Sequence, residues 1–174
     1  MRKINKGSMI QHTTDSTVDI EPDMISDGRV YYPVDSQASE AIVIHCGDAR
    51  FQTAFRRFIT EELHIKQYTP IIIGGGAHAF GMKVFLPKNF KILWEQVKFY
   101  IKSEKIKNII IINHEDCGWY EKMSGYHVNL PIIAKGKTDL KDATLTLLKD
   151  FGDINIRTYW AGIEHGRVYF DEVK

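Results

Sequence analysis

The chain has 174 residues, 44% of them hydrophobic and 26% charged, with a formal net charge of +1. That length favours one domain with a substantial core, and the near-neutral charge offers no basic field for nucleic acid and no acidic field for cations. No apolar run approaches the ~20 residues that span a bilayer. The basic start, Met1 to Lys6, has no apolar segment of the kind that follows in a signal peptide, so neither a membrane partner nor export is expected.

Residues 1–38 are polar, with no sustained period of 2 or 3.6, and read as an N-terminal arm ahead of a single domain over 39–174. Thr13 to Thr17 is loop-like, and Tyr31, Tyr32 and Val34 form the one sticky patch of the arm. Ala41 to His45 is a short, continuous apolar run, the signature of a strand buried on both faces. Phe51, Ala54, Phe55, Phe58, Ile59 and Leu63 then recur at helical spacing, predicting an amphipathic helix over about 50–65. Pro70 to Ile73 is a second strand, ended by Gly74-Gly75-Gly76. Asn89 is the expected N-cap of a helix whose core stripe is Phe90, Leu93, Trp94, Val97 and Ile101.

Ile109 to Asn113 forms the third strand. Leu140, Ala143, Leu147, Leu148 and Phe151 mark another helix, with Thr138 or Asp139 as its cap. A fourth strand over Ile154 to Ala161, a turn over Gly162 to Gly166 and a short returning strand over Arg167 to Val173 complete the chain. Strands alternating with helices predict an α/β fold with a mostly parallel sheet and right-handed crossovers. In such sheets ligands bind beyond the carboxyl ends of the strands.

Both cysteines lie at such ends. Cys46 follows the first strand, and His114-Glu115-Asp116-Cys117-Gly118 follows the third. Two thiols and an imidazole are a ligand set for zinc, and three protein ligands leave a fourth position open for chemistry. Two buried structural thiols beside a core histidine are the alternative. A Cys46–Cys117 redox pair has less support, because the chain has no Cys-x-x-Cys motif. Two cysteines also favour metal or redox chemistry in a reducing, cytoplasmic setting over a disulfide framework.

Cys46-x-Asp48-x-Arg50 followed by His114-x-x-Cys117-Gly118 resembles the signature of the β-class carbonic anhydrases, over roughly residues 40 to 120. The resemblance implies a three-layer sandwich with sheet order 2-1-3-4 plus a short fifth strand. It implies Zn2+ held by Cys46, His114 and Cys117, and reversible hydration of carbon dioxide to bicarbonate by a zinc-hydroxide mechanism.

Asp48 and Arg50 are then a dyad. Asp48 accepts a hydrogen bond from the zinc-activated water while paired with Arg50, or swings onto zinc and closes the site. Zinc with two thiolates is neutral, so a carboxylate makes the centre negative unless Arg50 holds it away, and a guanidinium fork suits that task. Without the signature, the pair reads as a helix N-cap beside a surface arginine.

Where family members carry an Arg-Asn-Ala-Gly-like segment beside the substrate, this chain has Gly74-Gly75-Gly76-Ala77-His78. That departure leaves open hydrolysis of a linear analogue such as carbonyl sulfide or carbon disulfide, or a zinc-binding module without turnover. Gly75, Gly76, His78, Gly118 and Tyr120 are pocket candidates. The glycines allow close backbone approach or an anion, and His78 is a solvent-exposed loop histidine or a proton carrier. Trp119 and Tyr120 wall the pocket or are core or dimer contacts. Glu115 and Asp116 read as solvated or outer groups around the metal, and His45 as a buried, hydrogen-bonded histidine. The family's habit of assembling predicts a homodimer or higher homo-oligomer, and the arm is the segment expected to reach the partner.

Overall fold

The computed structural model describes residues 23–24, 29–32, 34–123 and 131–174. The loop-like stretch at Thr13 to Thr17 and the histidines His12 and His127 lie outside them. The chain divides into two units, Met1–Ser36 and Gln37–Lys174. In the first, β1 (Asp23–Met24) pairs antiparallel with β2 (Val30–Tyr31), so the arm contains a small ladder that its polar sequence did not announce.

The second unit is built on a five-stranded sheet. Its strands are β3 (Ala41–His45), β4 (Tyr68–Ile72), β5 (Asn108–His114), β6 (Asn155–Glu164) and β7 (Arg167–Glu172), in the spatial order β4-β3-β5-β6-β7. All neighbours are parallel except β6 and β7. This is the expected α/β architecture and strand order. Pro70 lies inside β4, which is tolerated because β4 is an edge strand with one side of its ladder free.

Alternation along β3 and β5 feeds two separate cores. Ile42, Ile44, Ile109 and Ile111 face one layer, where they meet Phe80, Leu93, Val97, Leu140, Ala143 and Leu147. Ala41, Val43, Ile110 and Ile112 face the other, where Phe51, Phe55 and Ile59 cover them. The first layer holds α2 (His78–Gly81), α3 (Pro87–Ser103) and α5 (Ile132–Asp150); the second holds α1 (Gln52–Arg57) and the π-helical turn Phe58–Glu62 that continues it. Burying one Ile or Leu side chain contributes roughly 1.5–3 kcal/mol, and strands with both faces covered contribute to both cores of this unit.

The structure differs from the sequence reading at several points. Asn89 is not the cap of α3: Pro87 occupies its first turn, where the missing N–H costs nothing and the fixed φ is already helical. α5 begins at Ile132, so Thr138 and Asp139 are interior rather than capping residues. Thr138 returns its hydroxyl to the Ala134 carbonyl at 2.9 Å, while Asp139 is fully buried. Leu148, counted with the core stripe, is 42% exposed. Gly162 belongs to β6, and the hairpin turns at His165-Gly166, both with positive φ (49° and 72°), the geometry that tight two-residue hairpins demand. No helix among the described residues is long and apolar enough to cross a membrane.

Candidate metal centre

β3 and β5 are parallel neighbours, with His45 opposite Ile112. The two chain segments therefore leave the sheet side by side, at its carboxyl edge. Cys46 is the first residue beyond β3, His114 is the last of β5, and Cys117 is the N-cap of α4 (Gly118–Lys122). Asp116, in the left-handed region at φ 54°, makes the turn that brings Cys117 back toward His114.

The thiols of Cys46 and Cys117 and the His114 ring are all buried, and their ligand atoms lie within 4.8 Å of one another. The two Sγ atoms are 3.8 Å apart. Two zinc–sulfur bonds of ~2.3 Å at a tetrahedral angle separate their sulfurs by ~3.8 Å. His114 Nδ1 lies 2.7 Å from the Glu115 carbonyl, to which it donates, so the lone pair is on Nε2. Nε2 is buried and, among the described residues, has no hydrogen-bond partner. A backbone carbonyl on one ring nitrogen and an unmatched lone pair on the other is how metal-binding histidines are oriented. The donor set thus fits a zinc ion.

The thiols share a hydrogen bond that favours thiolate on Cys46. The contact with Cys117 is the main cause holding the Cys46 thiol well below its ordinary value, helped by the backbone N–H groups of Gly75 and Asp48 against the cost of burial. The same bond, then burial, pushes the Cys117 thiol up. A cation between the sulfurs would let both ionise.

Asp48 and Arg50 meet in the turn after β3. The guanidinium grips the carboxylate at two points, Nη2 to Oδ2 at 2.7 Å and Nε to Oδ1 at 3.1 Å, and the Arg50 N–H adds a third bond to Oδ1 at 3.0 Å. These bonds hold the Asp48 carboxyl below its ordinary value. Arg50 also reaches the metal-ligand turn, donating to the Asp116 carboxylate at 2.7 Å and the Asp116 carbonyl at 2.8 Å. Glu115, read as a solvated or an outer group, accepts the Ile163 N–H at 2.9 Å. Gln52 was missed by the sequence reading; its amide donates to the carbonyls of Cys46 at 3.0 Å and Asp48 at 2.8 Å and so fixes the loop between them. His45 is buried with Nδ1 2.9 Å from the Cys46 carbonyl, as read from the sequence.

The glycine loop holds a different arrangement from the one expected. His78 is not in solvent: it is fully buried in α2, 3.0 Å from Asp139 and against the Tyr120 ring. Tyr120 is equally buried and gives its hydroxyl to Asp139 at 2.7 Å, which is the core placement among the roles read for it. The glycines make room for neighbours. A Cβ on Gly74 or Gly75 would stand 2.8 Å or 2.6 Å from the Trp119 indole, and one on Gly76 would stand 2.6 Å from Asn113 Oδ1. Gly75 and Gly76 also have φ of 74° and 53°. Gly118, by contrast, has open space around it.

Comparison with solved structures identifies this architecture. The β-carbonic anhydrase isoform I of the protozoan Trichomonas vaginalis superposes with a TM-score of 0.50 at 16% identity, over 80% of this chain and 86% of that one. This chain has the β-carbonic anhydrase fold. The carbonic anhydrase from Glaciozyma antarctica also matches, with a TM-score of 0.47 and 16% identity over 79% of this chain and 83% of that one. So does one of the tetrameric β-carbonic anhydrases of Sordaria macrospora, at 0.45 and 14% over 77% and 81%. No protein-family model and no curated protein matches the chain.

Proposed function

We propose that the chain is a zinc-dependent lyase of the carbonic anhydrase type, hydrating carbon dioxide reversibly to bicarbonate. The observation that carries this reading is the buried His114 Nε2, left without a partner beside two sulfurs 3.8 Å apart. Cys46, His114 and Cys117 are the residues that would hold zinc. Bound there, the ion supplies Lewis acidity that makes water nucleophilic toward the carbon of CO2 near neutral pH.

The other residues bind and orient. The Glu115 carbonyl fixes the His114 ring. Asp48 stays ionised beside Arg50 and offers an acceptor that aligns the attacking water's proton. Arg50, tied to both ligand turns, keeps that carboxylate from swinging inward. Hydrolysis of carbonyl sulfide or carbon disulfide is the second reading. It is favoured by the glycine loop, where Trp119 packs in place of polar side chains.

A cytoplasmic, thiol-reducing compartment and a homodimer or higher homo-oligomer belong to the same proposal, as does an N-terminal arm over 1–38 that reaches the partner. Light scattering on the full chain checks the assembly. Stopped-flow CO2 hydration by the zinc-loaded protein, with Cys46→Ala as control and carbonyl sulfide as competing substrate, tests the activity. Zinc-loaded protein inert toward both substrates from neutral to alkaline pH would leave a binding module.

A further inference from the structure

Behind the metal-ligand turns lies a buried polar cluster with no counterpart in the family signature. Its centre is Asp139, fully buried inside α5. Oδ2 accepts the Tyr120 hydroxyl at 2.7 Å and faces His78 Nδ1 at 3.0 Å, and Oδ1 contacts the Lys135 ammonium one helical turn away. Room for the carboxylate exists only because residue 81 is glycine: a Cβ there would collide with Oδ1.

The partners of Asp139 lead to the ligands. Tyr120 is on α4, whose N-cap is Cys117. The His78 N–H bonds the Gly75 carbonyl at 3.0 Å, and the Gly75 N–H faces the Cys46 thiol. Asn113 closes the circuit from the residue before His114. Its amide donates to the Tyr120 hydroxyl at 3.0 Å and the Gly136 carbonyl at 2.8 Å, and its oxygen accepts the Ala77 N–H at 2.8 Å. One carboxylate on a distant helix is therefore joined to all three ligand-bearing segments.

Stability alone does not account for an ion pair in this position. Taking Asp139 and Lys135 out of water is costly, and apolar residues of similar volume commonly stabilise such a site as well or better. What apolar residues cannot do is fix the direction of the Tyr120 hydroxyl and the His78 ring.

We propose that Asp139 is a positioning residue for the metal centre, acting through Tyr120 and His78 on the backbone segments that carry Cys117 and cover Cys46. This rests on the zinc-binding part of the reading above, not on turnover. Partners outside the ligand shell typically change metal affinity 10–100-fold when removed.

The test uses the full chain and two paired variants. Asp139→Leu/Lys135→Met keeps the branching of residue 139 and the charge balance but removes the hydrogen bonds. Asp139→Asn/Lys135→Gln keeps an amide oxygen that can accept from Tyr120 and His78. Zinc affinity is read by competition with a chromophoric chelator, and site geometry by the thiolate-to-metal charge-transfer bands of the cobalt(II) protein.

The expected result is a folded Leu/Met variant that binds zinc roughly 10–100-fold more weakly, with altered cobalt bands, and recovery of most of that loss in the Asn/Gln variant. Unchanged zinc affinity and an unchanged cobalt spectrum in the Leu/Met variant overturn the proposal. If that variant does not fold, Tyr120→Phe replaces it: weaker zinc binding supports the proposal, and wild-type binding overturns it. Wild-type protein that binds zinc but hydrates no CO2 removes the catalytic reading and leaves this one intact, whereas wild-type protein without thiolate-to-cobalt bands removes both.

Discussion

The Sγ atoms of Cys46 and Cys117 lie 3.8 Å apart although 71 positions separate them in the chain. Parallel pairing of β3 with β5 delivers the first sulfur, and the turn at Asp116 delivers the second. With His114, the expected metal content is one zinc per chain. Elemental analysis should find it in wild-type protein and lose it in Cys46→Ala/Cys117→Ala. Thermal unfolding should shift downward on chelation, because binding at a site that exists only in the folded chain stabilises that state. Full zinc in the double variant would place the metal elsewhere.

Asp48 and Arg50 are expected to act as a unit. Either alanine variant should lower CO2 hydration on the order of 10²-fold or more with zinc content unchanged, and the double variant should cost less than the two losses combined. Strictly additive losses in that cycle would separate the two roles. Two thiolates donate more charge to a metal than imidazoles do, so turnover should also climb from neutral to alkaline pH. A flat profile would count against activation of water at this centre.

The glycines near the site should differ in tolerance. Gly75→Ala drives a methyl into Trp119 and strains a positive φ, whereas Gly118→Ala enters open space at the start of α4. Zinc affinity and melting temperature should fall for Gly75→Ala and stay near wild type for Gly118→Ala. Equal behaviour of the two variants would contradict the packing of Trp119 on the loop.

Tyr120 makes a prediction at high pH. Burial, and then the charge of Asp139, push its phenol well above the ordinary value of 10.0. Above pH ~10 the unfolded chain releases this proton while the folded chain keeps it, so the unfolded state binds fewer protons and stability falls as pH rises. Tyr120→Phe, at a baseline cost of about 1 kcal/mol, should lose less stability than wild type between about pH 8 and about pH 11. Parallel urea midpoints for the two proteins over that range would refute it.

The sheet was legible because β3 and β5 are continuous apolar runs, and only strands covered on both faces read that way. The cysteines and His114 were legible because each follows such a run. The support behind them was not. Asp139 follows Thr138 just ahead of an apolar stripe, where aspartate ordinarily caps a helix, and the β-branched Ile132 and Ile133 with Gly136 disguise the true first turns of α5. Gly136 is there because a Cβ would stand 2.5 Å from the Trp160 ring, a contact between segments that no local pattern reports. His78, after three glycines, has the spacing of a surface loop. Its burial depends on Asp139 and Tyr120, which come from two other elements.

The close fit of Gly81 against Asp139 also constrains how this sequence can drift. A side chain at position 81 becomes tolerable only after position 139 has been shortened, whereas position 139 can shrink with glycine still in place. The substitutions are passable in one order and obstructed in the other. A descendant lineage would therefore part with the buried carboxylate before the glycine, and chains carrying a bulky residue at 81 beside an intact aspartate at 139 should be missing from any selected library that randomises both positions.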